Sequence, residues 1–142
     1  MNNTFACLVG YGLIRLRNLG TTVEINQLNH TAIHVSNLDR SVAFYQDVLK
    51  LRQILRPNFD FDGAWFQTGP DQELHLIQSP TTNTTPPDRH TAYRVPDMSA
   101  AQAHLNALDV AYMGPKHRPD GPLQLYLCDP DGHVIELTEL DG

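Results

Sequence analysis

From residue 26 onward, apolar and polar positions follow the same order twice. His30-Thr31-Ala32-Ile33-His34-Val35 returns as His90-Thr91-Ala92-Tyr93-Arg94-Val95, an offset of 60 residues. The alternation in each run predicts a strand. Each run leads into a helix-start signal, Ser36-Asn37-Leu38-Asp39 in the first copy and Pro96-Asp97-Met98-Ser99 in the second. Apolar positions then recur at spacings of three and four, Leu38, Val42, Tyr45 and Leu49 against Met98, Ala101, Leu105 and Leu108, which predicts a helix in each copy. Three further strand-like runs follow. They are Leu51 to Leu55, Ala64 to Thr68 and Glu73 to Gln78 in the first copy, and Val110 to Met113, Leu123 to Cys128 and His133 to Thr138 in the second.

The predicted plan is therefore an α+β fold of two βαβββ modules, residues 26–79 and 89–142. Residues 80–88 form a linker within the polar, Pro-rich stretch Ser79 to Asp88. Modules of this size are uncomfortable alone, so they are expected to pair within the chain or between chains. Residues 1–25 read as an N-terminal extension with no assigned role. Its apolar run, Phe5 to Ile14, lacks a preceding basic residue and is followed by Arg15 and Arg17, the wrong charge order for a secretion signal. Ten residues are also too few to span a bilayer, so no membrane partner is expected.

Composition narrows the function. The 142 residues are 41% hydrophobic and 18% charged, as in ordinary soluble domains. The formal net charge is -6 and the basic residues form no run, which argues against nucleic acid as a partner. Cys7 and Cys128 do not make a disulfide framework, so a reducing cytoplasm is the expected compartment. Seven His is the unusual count.

Four ionisable residues respect the repeat. His30 and His90 lie on the first strand of each module, His75 and Glu136 on the last. A single His in a strand is commonly a half-buried residue bonded to backbone. Four groups at equivalent points, His75 and Glu136 each between two apolar neighbours, need mutual satisfaction, which one divalent metal ion supplies. Period 2 places His34 on the face of His30, Arg94 on that of His90 and Thr138 beside Glu136. Tyr126 and Phe66, at the 60-residue offset, share the same parity. The run Lys116-His117-Arg118 reads as a loop before a strand, with Arg118 able to hold a carboxylate or phosphate. Trp65 and Phe59 read as core or wall, and His104 and His133 receive no role.

Leu28 to Val35, Asp39 to Leu49, and the later Asp129-Pro130-Asp131-Gly132-His133-Val134-Ile135-Glu136 closely resemble the vicinal oxygen chelate superfamily. That group includes glyoxalase I, fosfomycin-resistance transferases, extradiol dioxygenases and bleomycin-binding proteins. The resemblance implies that the modules form a cup-shaped, half-barrel sheet. It also places His30, His90 and Glu136 on the commonest ligand positions, with His75 on the fourth, where glyoxalase I usually has Glu. A neutral ligand there leaves the site more positive and removes one of two carboxylates.

The leading expectation is a metal-dependent, glyoxalase-like lyase or isomerase. It would act on a small substrate that chelates through two oxygens, with Glu136 as metal ligand and general base. The implied cofactor is a divalent ion, Zn, Ni, Co, Mn or Fe, with a thiol such as glutathione as a co-substrate in part of the family. His34, Arg94, Tyr126, Phe66 and Arg118 are the expected substrate-binding residues. Extradiol-type dioxygenation, fosfomycin-type thiol transfer and drug sequestration without catalysis are the alternatives. A homodimer is expected, with the sites either within a chain or shared between two.

Overall fold

The computed structural model describes residues 25–80 and 89–140. The expected extension at 1–25 and linker at 80–88, together with Cys7, lie almost wholly outside the described residues.

The first module runs β1 (His30–Val35), α1 (Leu38–Ala43), β2 (Arg52–Ile54), β3 (Gly63–Gln67) and β4 (Glu73–Gln78). The second runs β5 (His90–Arg94), α2 (Met98–Ala107), β6 (Tyr112–His117), β7 (Leu123–Cys128) and β8 (Val134–Glu139). Each forms a four-stranded sheet of the same order, β1-β4-β3-β2 and β5-β8-β7-β6, with the first and last strands of the module parallel and the other pairings antiparallel. The repeat legible in the sequence is thus a repeat of topology.

Local chemistry explains the elements. Asn37 and Asp97 stand in extended conformation before the helices, and each side chain accepts from the backbone N–H three residues on, at 2.9 Å. At the other end Lys50 and Asp109 adopt left-handed backbone, φ 56° and 55°, which stops both helices at equivalent points. The last side chain of each sheet returns to the helix start: Gln78 accepts from Leu38 N–H and Glu139 from Met98 N–H. The expected helix to Leu49 changes character, because Phe44–Val48 winds as a π-turn. Leu108, counted in the apolar stripe, is an exposed C-cap. The run 116–118 is not a loop before a strand, since Lys116 and His117 belong to β6, which pairs with β7 as far as Leu123.

Strand alternation divides each sheet into two faces. Leu74 and Leu76 of β4, Phe66 of β3, and Leu125, Leu127, Ile135 and Leu137 of β7 and β8 bury themselves with Tyr45, Met98 and Leu105 from the helical segments. The opposite face carries the ionisable residues. Among the described residues, no helix is long and apolar enough to cross a membrane.

The turn Asp129-Pro130-Asp131-Gly132 clasps the modules together. Asp129 accepts from Tyr45 O–H at 3.0 Å and, through its other oxygen, from the N–H groups of Asp131 and His133. Asp131 accepts from Ser36 and pairs with Arg40 at 3.2 Å. His133 Nε2 donates to His34 C=O at 2.8 Å, and His104 Nε2 to Val48 C=O at 2.9 Å, so both of these His hold backbone across the boundary.

Candidate metal and substrate site

Register decides which residues meet. On β1 and β4, Ala32 lies opposite His75, and on β5 and β8, Ala92 lies opposite Glu136. His30 and His90 therefore stand at the same diagonal from His75 and Glu136, close enough for side chains to touch. In the first module the rings of His30 and His75 stack with centroids 4.3 Å apart. In the second, His90 Nε2 and Glu136 Oε2 are 3.0 Å apart, with the Glu136 side chain only 6% exposed.

Each pair has its own supports. His30 Nδ1 meets Asn29 Oδ1 at 2.7 Å, which fixes the ring and leaves Nε2 as the atom with ligand capacity. His75 Nε2 donates to Glu73 Oε2 at 2.7 Å, and its ring is sandwiched between His30 and Trp65, the latter at 3.9 Å and 2° from parallel. Tyr126 lies opposite Glu136 and edge-on to His90, with centroids 5.7 Å apart. The Tyr126 phenol is held above its ordinary pKa, first by desolvation, then by its hydrogen bond to the Glu136 carboxylate and that group's charge. A cleft of about 530 Å³ lies here, lined by His90, Tyr126, Lys116 and Cys128 among others, and Cys128 is a free, exposed thiol.

One expected site residue is misplaced by the sequence. Phe66 does not face the site: it is fully buried, opposite Leu74, and packs on Tyr45 at 5.9 Å. The residue equivalent to Tyr126 is Trp65, which lies opposite His75 as Tyr126 lies opposite Glu136. The reason is one extra residue in the second module, so that β3 and β4 match β7 and β8 at an offset of 61 rather than 60. The separation of His75 from Glu136 carried that signal. Trp65 also contacts Phe59 at 6.0 Å, and Phe59 stacks on Phe61, so a row of rings leads from the β2–β3 loop to His30.

His34 and Arg94 occupy the predicted parity on β1 and β5, and Arg94 lines a second cleft of about 190 Å³ shared with His30 and Glu73. Arg118 is engaged by Asp120 through two contacts of 2.6 and 2.7 Å, though its charge reaches Glu136 and Tyr126. The four expected ligands do not form one cluster: among the described residues no three His, Cys, Asp or Glu are placed to hold one metal ion. One chain instead holds two separate pairs, His30 with His75 and His90 with Glu136. Three imidazoles and a carboxylate are a fitting donor set for a borderline divalent ion.

Residues 27–137 match the model of the glyoxalase/bleomycin resistance protein/dioxygenase superfamily. The chain belongs to this superfamily. It is 30% identical over 133 residues to Glyoxylase I 4 of Arabidopsis thaliana, covering 87% of this chain and 76% of that protein. It is 24% identical over 122 residues to the metallothiol transferase FosB of Lysinibacillus sphaericus (strain C3-41), covering 81% and 83%. Among solved structures, the antibiotic-binding protein TnmS3 from Streptomyces sp. CB03234 superposes with a TM-score of 0.69 at 28% identity, covering 84% of this chain and all of that one. Proteins named for three different roles are similar to this chain, so the superfamily sets the architecture and the site must set the reaction.

Proposed function

We propose that the protein is a metal-dependent, glyoxalase-type isomerase or lyase, acting as a homodimer on a small substrate that chelates through two neighbouring oxygens. The observation that carries this reading is the matched diagonal, His30 with His75 and His90 with Glu136, in two half-sites of one chain. Each half supplies two donors, so a complete set forms when the first module of one chain faces the second module of its partner. His75 is the weakest member, because its Nε2 must exchange Glu73 for the ion.

A divalent ion held by His30, His75, His90 and Glu136 would supply Lewis acidity to the bound substrate. The other steps belong to the chain. Glu136 is buried and aligned by Tyr126, and it takes the proton from the carbon that bears the substrate hydroxyl. It returns that proton to the neighbouring carbonyl carbon while the hydroxyl proton passes from the first substrate oxygen to the second, so the isomerisation balances. Trp65 and the cleft walls exclude water from the carbanionic stage.

The test is complementation. A His30→Ala, His75→Ala chain and a His90→Ala, Glu136→Ala chain are each expected to lose tight metal binding. Co-expressed, they should recover one site per heterodimer. A monomer by light scattering, or a mixture that recovers no metal, overturns the shared site. Assays of the metal-loaded protein with hemithioacetal and catechol substrates then separate isomerisation from ring-cleaving oxygenation.

A further inference from the structure

A second row of residues lies beside the Glu136 row. Across the second sheet, Arg94 stands opposite Thr138, Thr138 opposite Gln124, and Gln124 opposite Lys116. Directly paired residues share a face. Arg94, Thr138 and Gln124 are each two residues from Ala92, Glu136 and Tyr126, so this row is on the site face, about 7 Å along the strands.

Its two central members are buried, Gln124 at 7% and Thr138 at 8% exposure, yet Gln124 Oε1 and Thr138 Oγ1 have no hydrogen-bond partner. Burying such atoms unpaired is costly, and two of them side by side in an otherwise well-bonded sheet need a reason. The flanks supply one. Arg94 and Lys116 close the row at either end, and among the described residues no carboxylate pairs with them. Arg118, by contrast, is already neutralised by Asp120.

We propose that Arg94, Thr138, Gln124 and Lys116 form an oxyanion subsite that takes a negatively charged group bearing one hydroxyl. Thr138 O–H donates to an anion oxygen, the ligand's own O–H donates to Gln124 Oε1, and the two cations balance the charge. A hydroxycarboxylate and a monoprotonated phosphate or phosphonate share this chemistry. The inference rests on the proposed function only for its link to turnover: the chelating substrate would carry its anionic group about one pleat repeat from the reacting carbon.

The experiment uses metal-free, full-length protein, with inorganic phosphate and glycolate titrated separately by calorimetry and thermal shift. Thr138→Val and Gln124→Met remove the orphaned atoms with little change of shape. Each is expected to raise the Tm of the unliganded protein, because a buried unpaired polar group disappears, while weakening the preferred anion about fivefold or more. Arg94→Gln should weaken the anion without raising Tm, and should flatten its salt dependence. The stronger of phosphate and glycolate identifies the type of anion. Absence of binding by both at about 10 mM overturns the subsite. So does a lowered Tm in both Thr138→Val and Gln124→Met, or unchanged anion affinity in both. Anion binding that persists in His90→Ala, Glu136→Ala protein upholds the subsite even where the metal reading fails.

Discussion

Trp65 and His75 lie face to face across β3 and β4, their ring centroids 3.9 Å apart and their planes within 2°. His30 covers the other face of the same imidazole. The stack orients a candidate ligand from both sides, and Glu73 holds its Nε2 in the plane. Trp65 is the single tryptophan of the chain, so its emission reports on this stack alone. Replacing His75 with Ala should uncover the indole face, shifting its fluorescence to longer wavelength. An unchanged spectrum would mean that the two rings are not stacked in solution.

Glu136→Gln tests the proposed base. The amide keeps the shape and one oxygen ligand but cannot accept a proton. Turnover should therefore fall by a larger factor than metal affinity, measured by single-turnover kinetics beside metal titration. Tyr126→Phe should lower turnover about tenfold or more, because a hydrogen bond to a charged group is lost from the aligned carboxylate.

Phe66 and Trp65 should separate stability from binding. Phe66→Ala opens a cavity in the core and is expected to cost about 3 to 5 kcal/mol by chemical denaturation. Trp65→Leu should leave the midpoint within about 1 to 2 kcal/mol of the parent and weaken ligand or metal binding instead. The reverse result would return Phe66 to the site.

The clasp gives a pH prediction. Burial alone would raise the carboxyl pKa of Asp131, but hydrogen bonds from Ser36 and the charges of Arg40 and His133 hold it below the ordinary aspartate value. A carboxyl lowered on folding contributes stability that is present above its unfolded pKa, about 4, and is lost as pH falls through the folded value. Thermal unfolding should show Tm falling across that acid range, with a smaller acid slope in Asp131→Asn.

Tyr45 joins the two modules through Asp129. Burial, with the adjacent Asp129 charge, drives its phenol far above the ordinary range, so it stays a donor at any working pH. Tyr45→Phe keeps the ring packing but leaves a buried carboxylate oxygen without its donor. A loss of about 1 to 3 kcal/mol is expected. A wild-type denaturation midpoint would deny the clasp its role.

Periodicity and repetition were enough to read both modules, the start of each helix, and the alignment of His30, His75, His90 and Glu136 at equivalent points. The reason is local: alternation is fixed by the backbone geometry of a strand, and capping is satisfied within a few residues. Tertiary structure decided what depends on register and on packing between distant segments. One additional residue in the second module moved the equivalence from Phe66 to Trp65, because a slip of one turns a strand residue to the opposite face. The clasping of Tyr45, Ser36 and His34 by a turn 84 to 99 residues away has no periodic signal at all. The separation of the pair His30 and His75 from the pair His90 and Glu136 likewise follows from how two sheets meet, which no spacing along one strand encodes.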